Sequence, residues 1–195
     1  RELTKLICDE TDRICALIDR MEVFSDTTPL KREPVNAHKV LERVRLMTEN
    51  SFAKNISFIE RYDPSLPFID GNHDQLIQVF LNLIKNAAES IDHDHGEIIL
   101  KTSYQHSVKF GCQGEKLQFH LPLVISIQDN GVGIPRGLNE LVFDAFVTSK
   151  LNGTGLGLAL VAKLIDDHGG VVEFESEPGR TIFKVLLPMH EIKSR

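Results

Sequence analysis

Apolar residues recur at helical spacing along four stretches of the chain. Residues 1–24 are otherwise charged, and their apolar seam predicts an amphipathic helix: Leu3, Ile7, Ile14, Leu17, Ile18 and Met21. A second helix is predicted to begin after Asn36, which can cap it, and to run through about Asn50. The longest pattern covers 71–91, with these residues facing inward: Leu76, Val79, Phe80, Leu83, Ile84 and Ala87. The segment 157–170 predicts a fourth helix, which a glycine pair ends.

Alternating apolar and polar positions predict strands between these helices. The runs lie at 56–62, at about 97–104, 116–119 and 123–128, and on both sides of the turn "PGR" within 171–188. The segment 25–36 has two prolines among mixed polar residues, which is typical of a linker. Helices gathered before and between antiparallel strands indicate an α+β protein, a two-layer α/β sandwich with one helical layer on one sheet.

Composition narrows the possible functions. The 195 residues are 42% hydrophobic and 26% charged, which is ordinary for a globular protein. The net charge of −6 argues against a nucleic-acid binder that neutralises phosphates, and the scattered basic residues argue against a membrane surface. No run approaches the roughly 18 apolar residues of a membrane span. Three cysteines without Cys-x-x-Cys spacing favour a reducing, cytoplasmic compartment, and a start at Arg1 within a helical pattern predicts a fragment.

The run "QDNGVGIP" (128–135) places Asp129 beside two glycines directly after a strand. Glycine at 131 and 133 indicates either positive φ or a close approach that leaves no room for a Cβ. An acid in this position can cap the turn through its own backbone, or it can bind a ligand. The octapeptide alone leaves both interpretations open.

Asn82 and Asn86 lie four residues apart on the long helix, so their amides project from the same face. Both amides can be satisfied by neighbouring backbone groups. Alternatively, amide oxygens together with phosphate oxygens form a site that suits Mg²⁺. The pair is therefore a candidate hard-cation site.

A second glycine-rich run, "NGTGLGLAL" (152–160), leads directly into a helix. Glycines there expose backbone N–H groups at a helix N-terminus, where anions bind. Thr148 and Lys150 stand just upstream and can add a hydroxyl and a cation for phosphate. Such loops are also commonly flexible connectors, and Lys150 can be an ordinary surface lysine.

The order of these motifs resembles one family. "NLIKNA", "DNGVGI", a pair of phenylalanines, "GTGLGL" and "GRTIFKV" follow one another over about a hundred residues. This order is similar to the catalytic and ATP-binding domain of sensor histidine kinases, which is related to type II topoisomerases, Hsp90 chaperones and MutL repair proteins. The resemblance implies the Bergerat-type ATP-binding fold, with a mixed, mostly antiparallel sheet, and it implies ATP and Mg²⁺ as cofactors.

The resemblance also assigns roles to residues. Asn86 would hold Mg²⁺ with the support of Asn82, and Asp129 would accept a hydrogen bond from the exocyclic amine of adenine. Thr181 would complete the adenine end, and Lys150 would act at the phosphates. The remaining positions of the implied nucleotide site are Gly131, Gly133, Ile134, Phe143, Phe146, Gly153, Thr154, Gly155, Leu156 and Gly157. Among them, the glycines of the second run would cradle phosphates, and the two phenylalanines would hinge a lid. Gly131 and Gly133 would let the backbone pass beside the base.

One contrast within this superfamily separates two reactions. Members that hydrolyse ATP carry a glutamate at the position of Asn82, where it activates water. An amide cannot act as a general base at neutral pH. Asn82 therefore favours phosphoryl transfer to a protein acceptor over hydrolysis.

The finer resemblance is to nitrogen-regulation (NtrB-type) kinases. It implies the second helix of a dimerisation hairpin over 1–26, a linker over 27–35 and the catalytic ATP-binding domain over 36–192. The implied partners are a response regulator receiver domain, a second copy through the hairpin and a PII-type nitrogen signal protein. None of the eight histidines lies in a phosphoacceptor setting. We expect His38 at the surface and His168 near a helix end, where either solvation or complementarity to the helix dipole suffices.

Two further points qualify the resemblance. Glu89 and Ser90 stand where many histidine kinases have a basic–aromatic pair, so any nucleotide contact from this turn is in question. A different function also stays open, in which the domain is a nucleotide-switched binding module that acts mainly in response-regulator dephosphorylation. The histidine upstream that would accept phosphate is the feature that separates the two.

Overall fold

The structure is a computed structural model that describes residues 30–105, 121–150 and 153–191. The strands are β1 (Glu33–Val35), β2 (Ser57–Arg61), β3 (Ile69–Gly71), β4 (Glu97–Tyr104), β5 (Leu123–Asp129), β6 (Val171–Glu177) and β7 (Arg180–Leu187). The helices are α1 (Ala37–Glu49), α2 (His73–Ser90) and α3 (Gly157–Asp167). The predicted helix over 1–24 and the predicted strand at 116–119 lie outside the described residues.

Five strands form one twisted platform in the order β2–β4–β5–β7–β6. β2 runs parallel to β4, and every other neighbouring pair is antiparallel. The helices α1, α2 and α3 form one layer, with α2 in contact with both other helices and with β5. This confirms the predicted α+β sandwich with a mixed, mostly antiparallel sheet.

The core lies between the sheet and the helical layer, as the periodicity of the long helix predicts. All six inward positions predicted on α2 are buried: Leu76, Val79, Phe80, Leu83, Ile84 and Ala87. Asn36 caps α1 by accepting a hydrogen bond from the Lys39 amide over 3.2 Å. Asn72 caps α2 by accepting from the amides of Asp74 and Gln75. The predicted cap of α1 at Asn36 is therefore confirmed, and α2 begins two residues after the start of the predicted pattern at 71.

A small second sheet corrects the predicted linker. The linker was predicted over 27–35, yet Glu33–Val35 pairs antiparallel with Ile69–Gly71. Val35 is only 4% exposed, so the end of this segment joins the core. Strands of three residues are too short to show the alternation by which strands are recognised in a sequence.

Charged groups join this small sheet to the end of α3 and to the residues after β7. Arg32 donates to the carbonyl oxygen of Asp167, at the end of α3, over 2.9 Å, and its guanidinium lies 3.5 Å from a carboxylate oxygen of Asp70. His190 meets the other carboxylate oxygen of Asp70 at 2.9 Å. Asp70, in the middle of β3, therefore joins residues that precede β1 to residues that follow β7.

The expectation for His168 was wrong, and His38 lies only partly at the surface. His168 is fully buried: its Nδ1 donates to the carbonyl oxygen of Leu164 over 2.6 Å, and its Nε2 accepts from the amide of Asn72 over 3.0 Å. His38 is half-buried, stacks on Tyr62 and lies 3.0 Å from the hydroxyl of Thr102. Both rings are held by polar groups from distant parts of the chain: Thr102 on β4 for His38, and Asn72 before α2 for His168.

Two smaller findings complete the fold. A 3₁₀ helix forms over Arg136–Leu141. Within the described ranges, each helix is too short or too polar to pass through a lipid bilayer.

Candidate functional site

A cavity of about 590 Å³ opens between α2, the start of α3 and the ends of β5 and β7. It lies within the usual size range of ligand sites. Eleven of the predicted site residues line it: Asn82, Asn86, Asp129, Gly133, Ile134, Lys150, Gly153, Thr154, Gly155, Gly157 and Thr181. Four predicted residues are not among its lining: Gly131, Phe143, Phe146 and Leu156. The fold therefore brings most of the separate motifs to one place.

Asp129 ends β5 at the floor of this cavity. Its Oδ1 accepts hydrogen bonds from the amide of Gly131 and from the hydroxyl of Ser90, each over 2.9 Å. Among the described residues, both hydrogen bonds to this carboxylate reach Oδ1, which leaves Oδ2 for a ligand. Burial raises the pKa of Asp129, although the two hydrogen bonds and the charge of Lys150 oppose the rise. The capping and ligand-binding interpretations of this acid are thus compatible.

The two glycines after Asp129 are required for different reasons. A Cβ at Gly131 would lie 2.6 Å from the backbone carbonyl oxygen of Ser90, at the end of α2. Gly133 has φ +84°, and a Cβ there would also lie 2.9 Å from the carbonyl oxygen of Glu177. Both close contacts are with the protein itself. That these glycines let the backbone pass beside a base stays a prediction.

Thr181 lies directly opposite Asp129 on the neighbouring strand β7. Its hydroxyl is 3.0 Å from the hydroxyl of Ser176, which in turn accepts from the amide of Ile134 over 2.8 Å. Thr181 is only 3% exposed, so this hydroxyl pair lies at the deep end of the cavity. The sequence did not single out Ser176, because its role depends on strand register.

Asn82 and Asn86 face the start of α3. The Asn82 amide nitrogen donates to the carbonyl oxygen of Gln78 over 2.9 Å. A Cβ at Gly157 would lie 3.4 Å from Oδ1 of Asn82 and 3.9 Å from Nδ2 of Asn86. Glycine at 157 therefore leaves both amides room beside the N-terminus of α3. The half-buried pair is positioned to meet a ligand that binds there.

The N-terminus of α3 is suited to an anion. Leu156, the residue before the helix, is apolar and 1% exposed, so its side chain packs inward and cannot cap the first turn. The first amides of an α-helix lack partners within the helix and carry partial positive charge. Gly153, Thr154, Gly155 and Gly157 line the cavity at this point. Leu156 thus packs beneath the site and does not line the cavity.

Lys150 reaches across the cavity to the last turns of α2. Its ammonium lies 2.5 Å from Oε2 of Glu89 and 3.4 Å from Oδ1 of Asn86. Lys85 is also near Glu89, at 3.8 Å. The end of α2 at Glu89 and Ser90 therefore contacts predicted site residues at both ends of the cavity.

The two phenylalanines expected to hinge a lid have unlike environments. Phe143 packs edge-on against Phe174 and Phe183, with ring centroids 5.9 and 6.4 Å away. Phe146 is 65% exposed and has φ +69°, which is uncommon for any residue other than glycine. Phe143 anchors this segment to the sheet, and the hinge role stays a prediction.

The sequence did not predict the apolar part of the cavity wall. This wall is formed by Val132, Pro135, Leu138, Val142, Val147, Leu158 and Phe183. Five of these residues are single apolar positions in turns, loops and the 3₁₀ helix, where no periodicity marks them as a wall, whereas Leu158 and Phe183 belong to α3 and β7. The cavity thus has an apolar side next to Asp129 and a polar side at Asn86 and Lys150.

A metal ion at the polar side fits the residues present. Asn86 and Glu89 offer an amide oxygen and a carboxylate, which are oxygen ligands of the kind that Mg²⁺ prefers. One oxygen of each residue already contacts a cation, the ammonium of Lys150. Asn86 would hold the metal, which would neutralise and orient phosphate oxygens.

Comparison with protein families and solved structures bears on this site. The family described as "Histidine kinase-, DNA gyrase B-, and HSP90-like ATPase" matches residues 71–191. The "Sensory histidine kinase/phosphatase NtrB" of Azospirillum brasilense is 64% identical over 191 residues, which are 98% of this chain and 48% of that protein. The protein of the same name from Escherichia coli O157:H7 is 38% identical over 190 residues, 97% of this chain and 53% of that protein. The chain spans about half the length of the curated relatives it matches.

Solved structures share the fold. The nucleotide-free catalytic domain of histidine kinase ThkA is 26% identical with a TM-score of 0.66, over 82% of this chain and 97% of that one. Full-length ShkA in complex with AMPPNP has a TM-score of 0.75 at 23% identity, over 95% of this chain and 38% of that one. ThkA in complex with the response regulator TrrA has a TM-score of 0.72 at 23% identity, over 95% of this chain and 50% of that one.

Proposed function

The chain belongs to the family of histidine kinase-, DNA gyrase B- and HSP90-like ATPases, as a catalytic domain of the NtrB type, and on this basis we propose its reaction. The domain binds Mg–ATP and transfers the γ-phosphate to a histidine of a dimerisation hairpin. The phosphate then passes to an aspartate of a response regulator in nitrogen regulation. The 64% identity to an NtrB protein supports this assignment to nitrogen signalling.

The observation that carries the proposal is the arrangement of unlike groups along one cavity. Asp129 and Thr181 lie side by side at its deep end, where a carboxylate can accept a hydrogen bond from the exocyclic amine of adenine. Guanine has a carbonyl at the equivalent position and cannot donate there. Asn86 and Lys150 lie at the other end, beside the N-terminus of α3, where phosphates would be bound.

Asn82 supports transfer to a protein acceptor over hydrolysis. Its amide nitrogen donates to Gln78, so its orientation is fixed and its oxygen is turned toward Gly157. An amide in this place can position a phosphate or a metal-bound water but cannot remove a proton from water. Catalysis then depends on positioning and on charge neutralisation by the metal and Lys150.

The proposed partners follow from relatives. Histidine kinase ThkA forms a complex with the response regulator TrrA, which supports a receiver domain as a partner of this chain. The NtrB resemblance adds a second copy of the chain through the hairpin and a PII-type nitrogen signal protein. These partners belong to the proposal for the whole protein.

Radiolabelled ATP tests this function. With γ-labelled ATP and Mg²⁺, label should appear on a separately added hairpin that carries the acceptor histidine, and the Asn86→Ala variant should transfer little. The chain alone should stay unlabelled, because none of its histidines lies in an acceptor setting. Stable label on the chain alone, or phosphate release at the same rate with and without the hairpin, would contradict the proposal.

The relatives are named kinase/phosphatases, which favours a second function. In that case the nucleotide switches the domain's contact with a phosphorylated response regulator and promotes its dephosphorylation. The two functions are separated by measuring label loss from a phosphorylated receiver domain in the presence of the hairpin, with ADP and without nucleotide. Nucleotide-dependent loss without any forward transfer would favour the second function.

A further inference from the structure

The ammonium of Lys150 occupies a point where two oxygen ligands from α2 meet. Its Nζ lies 2.5 Å from Oε2 of Glu89 and 3.4 Å from Oδ1 of Asn86. We propose that Glu89 supplies a carboxylate to the divalent-cation site beside Asn86, and that Lys150 is an internal cation that fills this site until a metal–nucleotide complex replaces it. This inference rests on the proposed function and adds a ligand and an exchange step to it.

The helix geometry places these groups together. Asn82, Asn86 and Glu89 are spaced four and three residues apart, so they form one row along α2. All three line the cavity. Glu89 therefore lies in line with the two asparagines and faces the same cavity.

The chemistry of magnesium calls for a carboxylate here. Mg²⁺ is usually bound in proteins through one or two carboxylates together with substrate phosphates and water. Of the described residues that line the cavity, the acids are Glu89 and Asp129. Asp129 lies at the opposite end, where Ser90 and Gly131 hold its Oδ1. Glu89 is thus the carboxylate available beside Asn86.

The ion pair has the properties of an exchangeable contact. The side chains of Lys150 and Glu89 are 38% and 40% exposed, and such pairs contribute little to stability. A divalent ion competes well for the same oxygens because its charge is higher and its ligand distances are shorter. Lys150, once displaced, is free to meet the terminal phosphate. Metal binding and the charge needed for transfer are thereby coupled.

The sign of the effect of Glu89 depends on the metal. With Mg²⁺ bound, the carboxylate attracts the metal–nucleotide complex. Without metal, it repels phosphates and retains Lys150, so it opposes nucleotide binding. If Glu89 only repelled phosphates or only held Lys150 in place, it would instead weaken nucleotide binding both with and without Mg²⁺.

The test measures ADP affinity by calorimetry, in excess Mg²⁺ and in EDTA. Glu89→Gln should weaken binding about tenfold in Mg²⁺ while leaving it equal or tighter in EDTA. The matched control is Glu175→Gln, which removes an exposed acid paired with Lys184 away from the cavity. The control should change neither affinity.

A double-variant experiment tests the exchange step. At fixed ADP, Lys150→Met should lower the Mg²⁺ concentration for half-maximal binding about two- to fivefold, the value of an exposed ion pair. In the Glu89→Gln background, the same substitution should have no further effect on this concentration. A separate effect of Lys150→Met in that background would overturn the exchange.

The outcomes distinguish this inference from the proposed function. Normal binding of Mg–ADP by the unsubstituted chain, with an unchanged Mg²⁺ dependence in Glu89→Gln, would overturn the inference alone. Tighter binding of ADP by Glu89→Gln both with and without Mg²⁺ would also overturn it, because Glu89 would then only repel phosphate. Failure of the unsubstituted chain to bind any nucleotide would overturn the proposed function and this inference together.

Discussion

Ser90, the last residue of α2, has its hydroxyl 2.9 Å from Oδ1 of Asp129, the last residue of β5. The same hydroxyl lies 2.8 Å from the carbonyl oxygen of Ala87, and its single hydrogen can serve only one acceptor at a time. An ionised carboxylate is the stronger acceptor. The end of the helix that carries the asparagine pair is thus fastened to the group at the floor of the cavity.

Asp129→Asn should weaken ADP binding without weakening the fold. A charged hydrogen bond of about 1.5–3 kcal/mol would become a neutral one, so affinity should fall about tenfold or more. Burial raises the pKa of Asp129, so the native state binds its proton more tightly than the unfolded state does. Stability therefore falls as pH rises from the ordinary aspartate pKa through the raised one, and the amide removes this loss.

Calorimetry with ADP and thermal unfolding at pH 7 check both parts of this prediction. The variant should bind weakly and unfold at the same or a higher temperature. Unchanged affinity together with an intact fold would leave Asp129 as a cap of its own turn.

Asn86→Ala should remove the Mg²⁺ dependence of nucleotide binding. The amide oxygen would reach the nucleotide through the metal, so affinity in EDTA should change little while affinity in Mg²⁺ falls to the EDTA value. The control is Asn139→Ala, an exposed asparagine of the 3₁₀ helix that does not line the cavity. Equal losses with and without Mg²⁺ would exclude a metal-ligand role.

His168 should make the fold sensitive to acid. Burial, more than any other cause, lowers its pKa below the ordinary value of 6.5, and its Nε2 must stay unprotonated to accept from Asn72. The unfolded state then binds the proton more readily, so stability is lost as pH falls below about 6.5, by at most about 1.4 kcal/mol per pH unit.

Urea unfolding at pH 8 and pH 5.5 measures this effect. His168→Gln should be less stable than the parent at pH 8, because the Asn72 amide loses its partner, and should lose less stability on acidification. His38→Gln is the parallel variant, since burial also lowers the pKa of His38. An unchanged acid response in His168→Gln would contradict the assignment.

Phe143 and Phe146 should respond in opposite ways to truncation. Phe143→Ala removes contacts with Phe174 and Phe183 and should cost about 2 kcal/mol or more. Phe146→Gly relieves a positive φ at an exposed position, so stability should stay equal or rise by up to about 1 kcal/mol. Chemical denaturation of both variants provides the comparison. A large loss in Phe146→Gly would show that this ring packs against the fold.

The sequence predicted those parts of the site that depend on local periodicity or on glycine. Asn82 and Asn86 share a face because a helix repeats every 3.6 residues, and Asp129 is marked by the glycines after it. Ser90, Glu89 and Ser176 were not assigned contacts in the site, because their partners come from distant segments.

Burial was predictable on the long helix and not at turns. The inward face of α2 follows from six regularly spaced apolar residues, whereas His168 is a polar residue after a helix end. Its burial arises because Asn72 and Leu164 approach from two sides and satisfy both ring nitrogens. Gly131 was identified as a site of close approach, but the neighbour proved to be the backbone of Ser90.

The fastening around Asp70 has a mechanical consequence. β3 leads at once into the cap of α2, and Arg32 grips the last carbonyl of α3, so the segment that enters the domain holds both helices at their ends remote from the cavity. A force applied to that segment therefore acts on α2 and α3 together. The load should reach the cavity at the middle of α2, which carries Asn82, and at the start of α3, which carries Gly157.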